Sequence, residues 1–229
     1  MKKKGDNIIL YHGSSHIISK PEYGKGRYSN DYGLGFYCTE HAELAGEWAC
    51  SLNVDGFINR YSIDCSQLRV LDLQTVQYPA LNWLAILLKY RRVEINTPLM
   101  QSAKEYICDK YYLDISDYDI VRGYRADDSY FSFVRAFVSN SISFEQLSAA
   151  MHLGNLGEQI GIKSPEAFGG LKYLGSDSAS AMEYYTKKKS RDADARENYQ
   201  KITKTFDAKG IYVSQLISGE IGDDDERLR

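Results

Sequence analysis

The chain is poor in the features that would assign it quickly. Only four cysteines occur in 229 residues, and Cys38, Cys50, Cys65 and Cys108 lie far apart with no C-x-x-C spacing, so neither a disulfide scaffold nor a cysteine-based metal site is expected. His16, His41 and His152 have no ligand spacing with cysteine or carboxylate, and no metal is expected. The longest apolar run, YPALNWLAILL at 78–88, falls well short of the roughly 20 residues that cross a bilayer, which argues against a membrane protein and for a buried helix. The basic start MKKKGDN leads into the strand-like IILYHG and not into an apolar signal core. The expectation is a cytoplasmic protein, or one exported into a host or target cell without a cleaved signal.

Charge of one sign is also lacking. Lys and Arg number 28 against 31 Asp and Glu, a net charge of -3, so no broad field draws the chain to nucleic acid. The run TKKKSRDADARENYQK follows its cations at once with acids and reads as a solvated helix face. No long Pro/Gly/Ser linker interrupts the chain, and a single domain over 1–229 is expected, with residues 1–6 and the tail 222–229 frayed.

What is present is an ordinary globular balance, 43% hydrophobic and 26% charged, with an excess of tyrosine: 19 Tyr against 8 Phe and 2 Trp. Tyrosine joins stacking area to a polar tip and suits ligand-facing walls. Short strands are expected in NIILYHGS, GFYCT, GFINRYSID, LRVLDL, YDIVRGY, EQIGIKS and GIYVSQLI. Helices are expected after Thr39 as N-cap, over 78–92, in MQSAKEYICDKY, after the Gly-Arg-Asp-Asp turn, after Ser143 with Gln146 at the capping-box position, in SPEAFGGLKYL with Ser164 as N-cap and Pro165 at N1, and through the long polar segment from Ala179. Strands alternating with helices argue for an α+β fold with a split, mostly antiparallel sheet.

The glycines of NDYGLGFYCTEHAELAGEW do not form a known phosphate loop. A dinucleotide-binding G-x-G-x-x-G would need a third glycine where Cys38 stands, and no G-x-x-x-x-G-K-[S/T] occurs. Taken with LYHGS at the end of the first strand, the stretch resembles the ADP-ribosyltransferase superfamily, in the branch with a His-Tyr-Glu triad. With RADDSYFSFVRAF, LGEQIGIKSPEAF and GIYVSQLISGEI, most of residues 8–220 resembles a bacterial family of small ADP-ribosyltransferase-like domains.

The resemblance implies an ADP-ribosyltransferase-like fold and NAD+ as co-substrate, without a metal. His12 would bond the adenosine ribose, the backbone of Gly13, beside Ser14, would grip the nicotinamide carboxamide, and Gly35 would shape the pocket wall. Tyr37 would stack on the nicotinamide, with Trp48 as a second wall. The third triad member falls on Glu158 or Gln159, and strand alternation lets only one of them face the ribose. Glu158 is favoured, because charge stabilisation in a dry site is usually the largest catalytic term. Arg125, Asp127, Asp128 and Tyr130 form a candidate acceptor or pyrophosphate loop, with helix capping as the plainer alternative. The implied activity is mono-ADP-ribosylation of a macromolecule, protein ahead of nucleic acid, by a bacterial toxin or effector that a neutralising antitoxin or immunity protein could restrain. A catalytically silent NAD-binding or protein-interaction module and an NAD+ glycohydrolase stand as alternatives.

Overall fold

The β-branched and aromatic run Ile8-Ile9-Leu10-Tyr11 builds β1 (Asn7–Ser14), with Leu10 wholly buried on one face. The structure is a computed structural model and describes residues 7–126, 128–151 and 158–228, with backbone only for 128–130. Its class is α+β.

The strands fall into two sheets. β1, β3 (Gly56–Asp64) and β7 (Lys172–Ala179) form one, antiparallel in the order β1-β3-β7. β2 (Phe36–Cys38), β6 (Glu158–Ile162), β5 (Ile120–Tyr124) and β4 (Val70–Asp72) form the other, antiparallel except where β4 runs parallel to β5. The two sheets touch through one backbone bridge, in which Tyr11 N–H donates to Thr39 O (2.8 Å) and Thr39 N–H to Tyr11 O (2.9 Å). Inner faces of both sheets share one apolar layer, including Leu10, Tyr61 and Ile63 from the first and Phe36, Ile160 and Ile162 from the second.

Helix α1 (Ala42–Ala49) covers the outer face of the first sheet. It lies against the backbone because Gly13 and Gly56 have no side chains: a Cβ on Gly13 would stand 1.8 Å from Ala45 O, and one on Gly56 2.3 Å from Ala49 O. Helices α2 (Ala80–Tyr90), α3 (Pro98–Tyr111), α4 (Asp128–Val138) and α5 (Phe144–Met151) pack on the outer face of the second sheet. The apolar run foreseen as a helix is α2, buried at every position from Leu81 to Leu88. Helix α6 (Pro165–Gly170) begins at Ser164, whose hydroxyl accepts from Ala167 N–H, and α7 (Ala181–Thr203) is the long polar helix.

Four expectations are corrected. Thr39 does not cap α1: His41 is the N-cap, and Thr39 Oγ1 accepts from His41 N–H. LKYL does not extend α6 but opens β7, an edge strand that the polar sequence KYLGSDSA conceals. GIYVSQLI is not a strand: Tyr212 N–H donates to Gln215 Oε1 and starts helix α8 (Val213–Ile217), which buries Val213 and Leu216 one turn apart. The tail is docked, with Asp223 paired to Lys110 and Tyr106 and with Leu228 buried in a short 3-10 helix. Residues 1–6 lie outside the described residues. No helix among the described residues is long and apolar enough to cross a membrane.

Asn59, fully buried on β3, ties the chain after β1 to the sheet. Its Oδ1 accepts from Ile18 N–H (2.8 Å), and its Nδ2 reaches Ser14 Oγ (3.0 Å) and the carbonyls of His12 and His16 (3.3 and 3.4 Å). Replacing it by Ala leaves the part-buried Ile18 N–H and His12 C=O without this partner, so Asn59→Ala should cost about 2–3 kcal/mol. In a chain this long that lowers the melting temperature by roughly 5–10 °C in a thermal scan, with the 15–30 loop becoming the first site of limited proteolysis.

Candidate functional site

Beyond the Tyr11–Thr39 bridge, β1 and β2 part. In an antiparallel strand the N–H and C=O of residues i and i+2 point to the same side. Tyr11 points both toward Thr39, so Gly13 directs its own N–H and C=O into the gap that opens there. His12 closes the inner end of this gap. Its Nδ1 lies 2.7 Å from Tyr37 O, and its ring lies against Phe36 with centroids 4.3 Å apart. A carbonyl only accepts, so Nδ1 carries the proton and Nε2 remains an acceptor. Burial holds His12 below the usual histidine range, although the bond to Tyr37 O pulls the other way, and the ring stays neutral near neutral pH.

The gap opens into a cavity of about 780 Å³, within the roughly 300–1,000 Å³ range of small-molecule sites. His12, Gly13, Gly35, Tyr37, Trp48, Arg125 and Gln159 all line it, so residues from five separated stretches of chain meet. Lys25, Arg27, Arg91, Arg125 and Lys188 contribute five cations to the lining against the carboxylates of Asp31 and Asp192, a local positive balance in an acidic chain. Trp48 carries the Arg125 guanidinium over its ring at 4.8 Å.

The turn before β2 sets the Tyr37 wall. Gly33 has φ +75 and sits against the Tyr90 ring, a conformation that disfavours any side chain. Tyr37 OH donates to Gly33 O (2.6 Å) and accepts from Tyr32 N–H (3.1 Å), so its ring is held by the turn it closes. Burial pushes the Tyr37 phenol far above its usual range, so it stays neutral and cannot serve as a base. Lys163 Nζ donates to Tyr32 O (2.6 Å) and braces the turn from β6. Gly35 is required by close packing, since a Cβ there would stand 2.8 Å from Ile162 O.

The β6 register turns Gln159, and not Glu158, to the cavity. Gln159 shares a face with Gly161 and Tyr37, and its Nε2 donates to Asp31 Oδ2 (3.0 Å). Glu158 falls on the other face with Ile160 and Ile162, and the inward placement expected of it is not found. Its Oε1 lies 2.8 Å from Arg122 Nε without accepting an aligned hydrogen bond, and Arg122 also pairs with Glu40. Ser14 does not line the cavity: its hydroxyl donates to His16 O. Asp127 lies outside the described residues, and Asp128 and Tyr130 lie in the first turn of α4, where only the backbone is described.

Sequence reasoning missed Asp31, Arg91 and Lys188. Asp31 is 3% exposed; its Oδ1 accepts from Arg91 Nη1 (3.0 Å) and its Oδ2 from Ala126 N–H (2.9 Å) as well as from Gln159. Burial raises its carboxyl above the ordinary range against the pull of these donors. Asp31 stands two residues before Gly33, but nothing local marks it as buried.

Burial also pushes the Glu158 carboxyl up to about 7; Arg122 opposes the shift, and Glu40 and Asp72 add to it. The folded protein therefore holds this proton more tightly than an unfolded chain with the ordinary value of 4.5. The stabilisation is complete below pH 4.5 and is lost as pH rises through 7. Stability by denaturant titration should fall by about 2–3 kcal/mol across that window, and Glu158→Gln should flatten the slope.

No match was found among curated proteins or among solved structures. A family model described as a protein of unknown function (DUF3990) matches residues 8–173, from β1 to the start of β7, and so takes in His12, Asp31, Tyr37, Trp48, Arg91, Arg125 and Gln159. That match spans well over half of the chain, which belongs to the DUF3990 family.

Proposed function

We propose that the cavity binds NAD+ and that the protein is a mono-ADP-ribosyltransferase with an ADP-ribosyltransferase-like fold. One observation carries the reading: the diverging strands bring the open backbone of Gly13, the neutral His12, Tyr37 and Trp48 to one cavity whose lining carries five cations. A carboxamide offers one donor and one acceptor group, and the N–H and C=O of Gly13 offer the complement. Tyr37 and Trp48 supply flat walls for an aromatic ring. Nε2 of His12, left as an acceptor, suits a ribose hydroxyl, and the guanidinium and ammonium groups suit a pyrophosphate.

Cleavage of the nicotinamide–ribose bond builds positive charge on the ribose, and the sugar then passes to a nucleophile of a macromolecular acceptor. The chain's part is to hold the nicotinamide flat, fix the ribose and keep water out. With Glu158 directed to Arg122, no glutamate side chain meets the ribose in this reading. The same observation favours a second reading, an NAD+-binding module without turnover. Nicotinamide release from NAD+, with and without a cell lysate as acceptor, separates the two. Water in place of the acceptor would give free ADP-ribose, which product analysis identifies.

Binding is tested first. The chain has two tryptophans, Trp48 in the cavity and Trp83 buried in the helical layer, and NAD+ should quench the Trp48 share of the fluorescence. Trp48→Phe should abolish the quenching, and His12→Ala and Tyr37→Ala should each weaken binding about tenfold or more, roughly 1.4 kcal/mol. Absence of quenching and of calorimetric heat at millimolar NAD+ overturns the reading.

A further inference from the structure

An acceptor hydroxyl or amide loses a proton when it bonds to the ribose, and of the groups lining the cavity three are already committed. His12 presents Nε2, which the reading above gives to a ribose hydroxyl. Tyr37 keeps its own proton, because burial pushes the phenol far above its usual range. Asp31 has both oxygens filled by Arg91, Ala126 N–H and Gln159, and its burial closes it to a macromolecule. Among the described residues one other carboxylate lines the cavity, that of Asp192. It is half-buried and makes no hydrogen bond or ion pair among those residues. Helix α7 places it. Lys187 Nζ donates to Glu43 Oε2 (2.6 Å) and Glu183 Oε1 (2.7 Å), Lys189 lies over the Tyr185 ring (5.4 Å), and Arg191 pairs with Glu47. The bonds to Glu43 and Glu47 clamp α7 to α1, the helix that carries Trp48. Lys188 and Asp192, one turn apart, are left facing the cavity. Burial raises the carboxyl of Glu47, the neighbour of Trp48, and the charges of Lys188 and Asp192 reach it with opposite effect. Asp192 thus belongs to the Trp48 wall, and its partial exposure opens it to a ligand arriving from solvent. The family match ends at residue 173, before α7, so this wall is no part of that match.

Resting on the NAD+ reading above, we propose that Asp192 is the base that activates the acceptor: its carboxylate takes the proton of the acceptor nucleophile as that nucleophile attacks the ribose. The lone pair of the nucleophile forms the bond to the anomeric carbon. The bond from that carbon to the nicotinamide nitrogen breaks, and its electron pair leaves with nicotinamide as a neutral molecule. The proton of the nucleophile passes to Asp192 and from there to water. A carboxylate ringed by donors, as Asp31 is, has its lone pairs taken by the protein, whereas one without partners can accept a proton. Asp192 has that freedom on the wall against which the leaving ring would stack. The base also defines the acceptor. It serves a nucleophile with a proton to lose, such as a hydroxyl or an amide, and not a carboxylate or a phosphate, which attacks without losing one.

The test measures calorimetric binding of NAD+ and, with a cell lysate as acceptor, nicotinamide release and transfer of label, for wild type, Asp192→Asn and Asp192→Ala. Both variants should bind NAD+ within about twofold of wild type and lose about a hundredfold or more in turnover. Added formate should restore part of the loss in Asp192→Ala, where it can occupy the emptied place, and not in Asp192→Asn. Asp194→Asn, exposed on the same helix and no part of the lining, should match wild type. Where one Asp192 variant does not fold, judged by its thermal transition, the other carries the comparison. Turnover within about threefold of wild type in a folded variant overturns the proposal, and so do a loss of NAD+ binding in step with turnover and an Asp192→Ala that formate does not raise. Mass spectrometry that finds the label on carboxylates or phosphates overturns it as well. Wild type that binds NAD+ but releases no nicotinamide overturns the base and leaves NAD+ binding standing. Failure of wild type to bind NAD+ at all overturns that reading and the base with it.

Discussion

The site depends on one backbone event, the parting of β1 and β2 after the Tyr11–Thr39 bridge. Were the two strands to continue pairing, Gly13 would meet Tyr37 and the gap would close. What holds them apart is a side chain in the place of a backbone bond: His12 Nδ1 takes the Tyr37 carbonyl, so that acceptor is satisfied without a partner strand. The same bond fixes the tautomer of His12 and frees Nε2. On the far side of β1, the bare Cα of Gly13 lets α1 sit against the strand and carry Trp48 to the cavity. Glycine is thus needed at position 13 for the helix behind it, while its backbone serves the opening in front.

Electrostatics in the cavity follow from burial more than from proximity. His12, Tyr37 and Asp31 are each shifted toward their neutral forms by loss of water, and Asp31 stays anchored because three donors converge on it. The buried Asp31–Arg91 pair is better understood as orientation than as stability, since desolvation offsets much of its attraction. On the opposite face of β6, burial above all raises the Glu158 carboxyl; Arg122, which it shares with Glu40, opposes the shift, and the charge of Glu40 adds to it.

The order of LYHGS, GLGFY and the helix ending in Trp48 was legible because each is a local pattern, and the structure gathers His12, Gly13, Tyr37 and Trp48 as that order suggests. The phase of β6 was not. Alternation says that Glu158 and Gln159 face opposite ways but not which way, and the flanking Ile160 and Ile162, which belong to the layer between the sheets, decide it. Knowing that layer would have turned Glu158 away from the cavity. Asp31 was invisible because its burial comes from partners at 91, 126 and 159, none of them near in sequence. GIYVSQLI misled through its β-branched residues; Gln215 three after Tyr212, with Val213 and Leu216 one turn apart, was the helical signal within it.

The most direct test is a crystal structure of the protein grown with NAD+ or a non-hydrolysable analogue. The account predicts the nicotinamide ring between Tyr37 and Trp48, with its carboxamide on the backbone of Gly13 and its ribose on the Gln159 face of β6. An empty cavity at millimolar ligand, or a ribose seated against Glu158 on the other face of β6, would contradict it.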